Sequence, residues 1–186
     1  WVDARSLRSV LAMLAAFGLL LILACSGGDD EFATSTSPVT ENVAPLTAVV
    51  WQPAPGISWQ WQIDTGDVDT SFDVAVYDID LFDVSADLVS RLPVDGHHVI
   101  CYMSAGSWEG WRPDAGGFPS EVLGDDYDGW EGERWLDIRN LEALAPIMET
   151  RLDLCAAKGF DAVEPDNIDG YTNDTGFPLT YNDQLR

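Results

Sequence analysis

Phe72-Asp73-Val74-Ala75-Val76-Tyr77-Asp78-Ile79-Asp80-Leu81 is the stretch that decides how this chain folds. It is rich in β-branched and aromatic residues and, apart from Asp73 at its start, apolar on both faces until acids enter near its end. A strand buried on both faces belongs in a parallel sheet covered by helices. With a side-chain period of two, Val74, Val76, Asp78 and Asp80 share one face.

Working outward, Ser85 is placed to cap a short helix over 86–92, which Pro93 and Gly96 close. His97-His98-Val99-Ile100-Cys101-Tyr102-Met103 is the next strand, and a long stretch rich in Gly, Trp and Pro reads as a loop. From Leu141 to Lys158, Leu141, Leu144, Ile147, Met148, Leu152 and Cys155 fall on one helical face, with Gly159 as C-cap. A fourth strand begins at 160–163. Upstream, Ser58-Trp59-Gln60-Trp61-Gln62-Ile63 alternates as a first strand would. Strand, helix and strand in this rhythm predict an α/β fold with a parallel sheet and right-handed crossovers.

In such folds the chemistry sits at the C-terminal strand ends. Asp78 and Asp80 end one strand, and Ser104 to Glu109 follow the next. The fourth ends in Glu164-Pro165-Asp166-Asn167-Ile168-Asp169, with Ala162, Glu164 and Asp166 on one face. His97 and His98 stand at the opposite end, where structural roles are expected. Converging carboxylates suit glycoside hydrolysis, in which one protonates the leaving oxygen and another attacks or activates water. Trp108, Trp111, Trp130 and Trp135 could stack on sugar rings or pack beneath the loop. Calcium is an alternative occupant of such acids, although no EF-hand spacing is present. Solvated surface acids are another.

The chain has 186 residues, with 32 Asp and Glu against 9 Lys and Arg and a net charge of −23. Hydrophobic residues make up 46% and include eight Trp, enough to build a core. The charge excludes a nucleic-acid binder, which needs a basic face, and a polybasic membrane contact. Arg5 and Arg8 precede an apolar run over 10–24 that stops at Cys25. That run is short for a spanning helix and reads as a secretory signal over 1–24. Ile22-Leu23-Ala24-Cys25 resembles a bacterial lipobox, which predicts an exported lipoprotein acylated at Cys25 and touching the membrane only through that lipid. An ordinary signal or an uncleaved anchor are the alternatives. Residues 25–50 read as a flexible linker and 51–186 as the folded part. Cys101 and Cys155 fall near the bottom of adjacent units, so either a disulfide or two buried thiols is open.

Several longer motifs carry a resemblance. Val76-Tyr77-Asp78-Ile79-Asp80-Leu81-Phe82-Asp83, Cys101-Tyr102-Met103-Ser104-Ala105-Gly106-Ser107-Trp108-Glu109 and Arg112-Pro113-Asp114 are three of them. Gly132-Glu133-Arg134-Trp135-Leu136-Asp137-Ile138-Arg139 and the segment from Gly159 to Tyr171 are the others. Together they resemble glycoside hydrolase family 114, the endo-α-1,4-polygalactosaminidases with a spherulin-4-like (β/α)8 TIM-barrel domain. The resemblance implies a retaining hydrolase of galactosamine polymers that needs no cofactor or metal, with Asp166 as the catalytic aspartate. It also implies an acid/base glutamate on a later strand, to which no residue here corresponds. Asp78, Asp80, Tyr102, Trp108, Glu109, Glu164, Asn167, Asp169 and Tyr171 are assigned to substrate binding or its support. The part from Gln52 onward is expected to hold about four of eight barrel strands, so the chain reads as truncated and inactive alone. A cationic polysaccharide would suit the acidic charge. A non-catalytic sugar-binding lipoprotein and a calcium-stabilised surface protein remain as alternatives.

Overall fold

The computed structural model describes residues 51–186 apart from Thr65. The expected signal over 1–24, the linker over 25–50 and lipidated Cys25 lie outside the described residues. Among the described residues, no helix is long and apolar enough to cross a membrane.

Four strands form a parallel sheet in the order β1 (Trp59–Gln62), β2 (Val76–Asp80), β3 (His98–Ser104) and β7 (Ala162–Asp166). Helix α1 (Ala86–Arg91) starts at Ser85, whose hydroxyl accepts from the Leu88 N–H. Helix α2 (Leu141–Lys158) ends at Gly159, which takes the left-handed conformation at φ 95°. These elements agree with the sequence expectation, although β2 starts four residues later than expected, at Val76. The long loop expected after β3 is not a loop throughout. It holds β4 (Ser107–Glu109), β5 (Leu123–Asp126) and β6 (Glu133–Leu136), which form an antiparallel sheet in the order β4-β6-β5. A last short helix, α3, spans Tyr181–Gln184.

The two faces of the parallel sheet differ in chemistry. Tyr77, Ile79, Val99, Cys101, Met103 and Val163 turn to one side and form the main core with Val89, Leu92, Cys155 and Phe160. Here Cys101 of β3 is joined to Cys155 of α2 by a disulfide, with Cα atoms 6.0 Å apart. Closing a loop of 54 residues in the unfolded chain is worth about 4 kcal/mol on the chain-entropy account. Lys158, at the end of α2, donates to the carbonyls of Leu81 (2.6 Å) and Val84 (2.5 Å), tying the β2–α1 connection to the helix. At the N-terminal end of β3, His97 Nδ1 lies 2.6 Å from the Val74 carbonyl and His98 Nδ1 lies 3.2 Å from Asp161. Both are structural, as their position in the strand suggested.

The other face carries Val76, Ile100 and Ala162 low down, then Asp78, Tyr102 and Glu164, with Asp166 at the top. Asp78 is buried on this face near Glu164, and neither Asp78 Oδ1 nor Glu164 Oε2 has a hydrogen-bond partner. Burial, the neighbouring Glu164 carboxyl and the charge of Asp166 push the Asp78 carboxyl up to about 9. Folded Asp78 therefore keeps its proton where the unfolded chain has lost it. Its contribution to stability is full below the ordinary carboxylate range and is lost as pH rises through its raised pKa. Asp78→Asn mimics the protonated form and should melt higher than the wild type by a few degrees at about pH 8 and by much less at about pH 4. A calorimetric pH series measures this.

Candidate active site

At the C-terminal end of the parallel sheet, the two sheets enclose a cleft of about 450 Å³. Its apolar walls are rings: Trp61 from β1, Tyr102 from β3, Trp111 after β4, and Tyr127 and Trp130 between β5 and β6. Asp64, Asp83, Glu109, Glu133 and Asp166 supply carboxyl groups against a single guanidinium, Arg112. Such a lining favours a ligand with stacking faces and cationic or hydroxyl edges.

Asp166 is held by side chain and backbone together. Its Oδ2 accepts from the Tyr102 hydroxyl at 2.8 Å. Burial, with the bond to Asp166 and its charge adding to it, raises the Tyr102 phenol well above its ordinary range, so it stays a donor. The Asp166 carbonyl accepts from the N–H groups of Ala105 (2.9 Å) and Gly106 (3.2 Å). A Cβ at position 106 would lie 1.8 Å from the Asn167 carbonyl oxygen, so only glycine allows this approach. Asn167 takes φ 60°, a left-handed conformation that Asn tolerates better than most residues. Its Nδ2 donates to Ser104 Oγ (3.0 Å), Ser107 Oγ (2.9 Å) and Glu133 Oε1 (3.1 Å). Ser107 Oγ also donates to the same Glu133 oxygen.

Arg112 closes the opposite wall. It contacts Asp80 Oδ2 (2.5 Å), Glu109 Oε1 (2.7 Å) and Asp83 Oδ2 (3.3 Å), and its guanidinium lies 5.3 Å from the Phe82 ring centroid. Burial works against its charge but is outweighed by Glu109 and Asp80, which raise its pKa further.

Of the residues selected from sequence, Asp166, Tyr102, Asn167, Glu109, Trp111 and Trp130 meet at the cleft. The others need correction. Asp80 is buried, and besides Arg112 its Oδ1 accepts from the N–H groups of Phe82 (2.7 Å) and Asp83 (3.0 Å), so it shapes the wall from behind. Asp78 and Glu164 line a separate cavity of about 390 Å³ with Pro53, Ile57 and Trp59. Trp108 is half-buried, donates from Nε1 to the Ala115 carbonyl (3.0 Å) and packs against the cluster of Phe118, Val122 and Leu136 rather than lining the cleft. Trp135 is buried, stacked on Tyr127 with centroids 4.5 Å apart. Asp169 is exposed, its carbonyl accepting from Thr172 and Asn173, and Tyr171 packs edge-on against Tyr181; neither lines the cleft.

Sequence reasoning missed Glu133, Trp61, Tyr127, Arg112, Asp64 and Asp83 as cleft residues. Trp61 could have been found, because the alternation of the first strand puts it on the same face as the acids. Glu133 is buried, and its pKa is raised by burial and by the charges of Glu109 and Asp166, against the pull of Ser107 and Arg112. No periodicity marks it. Among the described residues, no group of three or more His, Cys, Asp or Glu could hold a metal ion.

The model of glycoside-hydrolase family GH114 matches residues 40–186. Among solved structures, Aspergillus fumigatus Ega3, determined in complex with galactosamine, is similar with a TM-score of 0.71 and 46% identity. The match covers 76% of this chain and 56% of that one, so this chain spans little more than half the length of the fungal protein. The glycoside hydrolase domain of PelA from Pseudomonas aeruginosa matches at a TM-score of 0.49 and 10% identity, over 69% of this chain and 49% of that one. No curated protein matches the sequence. A family match over 147 of 186 residues, with 46% identity to a solved structure, establishes that the chain belongs to glycoside-hydrolase family GH114.

Proposed function

We propose that this chain is the nucleophile-bearing part of an exported endo-α-1,4-polygalactosaminidase, with Asp166 attacking the anomeric carbon in a retaining mechanism. The observation that carries this is the setting of Asp166. Its carboxylate ends a parallel strand in a cleft walled by rings and acids, with one oxygen engaged by Tyr102. Tyr102 occupies Oδ2, which leaves Oδ1 as the attacking oxygen. Attack forms a bond from Asp166 to the anomeric carbon as the bond to the glycosidic oxygen breaks, that oxygen taking a proton from the acid/base glutamate that the family resemblance places on a later strand, outside this chain. Water then hydrolyses that ester with net retention.

Galactosamine in the complex of the fungal relative supports the choice of sugar. The acid excess of the cleft supports the cationic form of that sugar over its N-acetylated form. The four-stranded parallel sheet supports a (β/α)8 barrel of which this chain supplies four strands, and the 56% coverage of the fungal protein accords with it. The apolar run over 10–24 and Cys25 support export as a lipoprotein.

The test uses the full-length gene product on α-1,4-linked galactosamine oligomers, with release of reducing ends as the readout. Asp166→Asn should lower kcat by at least about a thousandfold with the melting temperature unchanged. Wild-type turnover in that variant would remove Asp166 from the mechanism. Because attraction of a polycation to an acidic cleft is screened by salt, KM for the deacetylated polymer should rise several-fold between about 0.01 and 0.5 M salt. KM for an N-acetylated polymer should be poorer at low salt and nearly flat across the series.

A further inference from the structure

We propose that Glu133 is a positioning residue: its carboxylate holds Asn167 in the left-handed conformation and so fixes how Asp166 is presented at the end of β7. The inference rests on Asp166 being the nucleophile, and it assigns work to a residue of the antiparallel sheet that hydrolysis itself does not use.

The geometry is specific. Asn167 follows Asp166 directly and leaves the strand at φ 60°. A non-glycine residue persists in that conformation only where its surroundings over-determine it. Here the restraint is the side-chain amide, which reaches three acceptors. Two of these are hydroxyls, Ser104 and Ser107, which lie 2.6 Å apart and can rotate to bond one another instead. Glu133 is the only charged acceptor of the three. It also accepts from Ser107, so one carboxylate oxygen organises both the amide and the hydroxyl. Charge-assisted bonds of this kind are stronger than neutral ones. Glu133 comes from β6, beside β4, which carries Ser107. The antiparallel sheet thereby controls the end of a strand in the parallel one.

The grip depends on ionisation. An ionised Glu133 only accepts, whereas a protonated one brings a donor into a cluster already supplied with donors by Asn167 and Ser107. The charged groups around it are Glu109 of β4, Asp166 of β7 and Arg112, with the phenols of Tyr127 and Tyr102 also facing it. Burial raises its pKa, so as pH falls Glu133 takes up its proton sooner than an exposed glutamate would. Activity should fall with it.

The experiment compares the full-length enzyme with Glu133→Gln, which keeps the shape but neither charges nor titrates. Two readouts are taken across the acid range: kcat/KM on galactosamine oligomers, and the Asn167 side-chain amide resonances by NMR. In the variant, kcat should drop about tenfold at the plateau. KM should change less than about twofold, and the acid limb should move to lower pH. The Asn167 amide signals should titrate in the wild type and stay flat in the variant. A second variant, Asn167→Gly, takes the same backbone angle without the amide and should lose kcat to a similar extent with its fold retained. An acid limb that stays in place, Asn167 signals indifferent to Glu133, or wild-type kcat in Asn167→Gly would each overturn the proposal. A wild-type enzyme that cleaves no galactosamine oligomer would instead remove the nucleophile assignment, while the Asn167 titration still decides the Glu133 grip.

Discussion

The backbone contact between the Ala105–Gly106 corner and the end of β7 is the constraint on which the rest of the site depends. Two N–H groups converge on the Asp166 carbonyl, and the missing Cβ of Gly106 lets the Asn167 carbonyl come close. The same corner ends β3 and begins β4, so one turn binds the end of a parallel strand and launches the antiparallel sheet. Once that turn is in place, Ser104 and Ser107 face Asn167, Tyr102 faces Asp166, and the aromatic segment between β5 and β6 comes over the cleft. Remove the turn and each of those groups loses its reference point.

Buried charge is arranged so that each ion has a task. Arg151, although nearly inaccessible, donates to Asp114 Oδ2 (2.7 Å) and the Ser104 carbonyl (2.7 Å), with its guanidinium near the rings of Phe82 and Phe118. It thus ties helix α2 to both ends of the stretch that carries β4. Arg112 gathers Asp80, Asp83 and Glu109 on one wall of the cleft. The two arginines neutralise acids that hold the scaffold, while Glu133 and Asp166 stay in the lining. Breaking a buried pair of this kind costs several kcal/mol, because the remaining charge is stranded.

Much of the parallel sheet could be read from the sequence, because periods of two and 3.6 carry it. The bounds of α2 and the Ser85 cap were both legible for that reason. The antiparallel sheet was not. Its strands are three or four residues long, and the register between β5 and β6 shifts near Leu123 and Asp126, so no alternation builds up. Composition rich in Gly, Pro and Trp then looks like a loop. Leu141 belonged to the expected apolar stripe and is 45% exposed, whereas Arg151 is buried; sequence patterning cannot foresee a charge satisfied from a distant loop. Acids at strand ends were ambiguous for a similar reason. Asp80 and Asp166 occupy equivalent places in their strands, and only the partner separates them: an arginine for one, a tyrosine hydroxyl for the other.

Asp166, with Oδ2 held by the Tyr102 hydroxyl, is the proposed nucleophile of a retaining glycosidase. A 5-fluoro-galactosaminyl fluoride, which slows hydrolysis of a glycosyl-enzyme, should trap the sugar on the full-length protein, and peptide mass mapping would then locate it. One sugar on Asp166 is the expected result. A sugar on Glu133, Glu164 or any other carboxylate would contradict it.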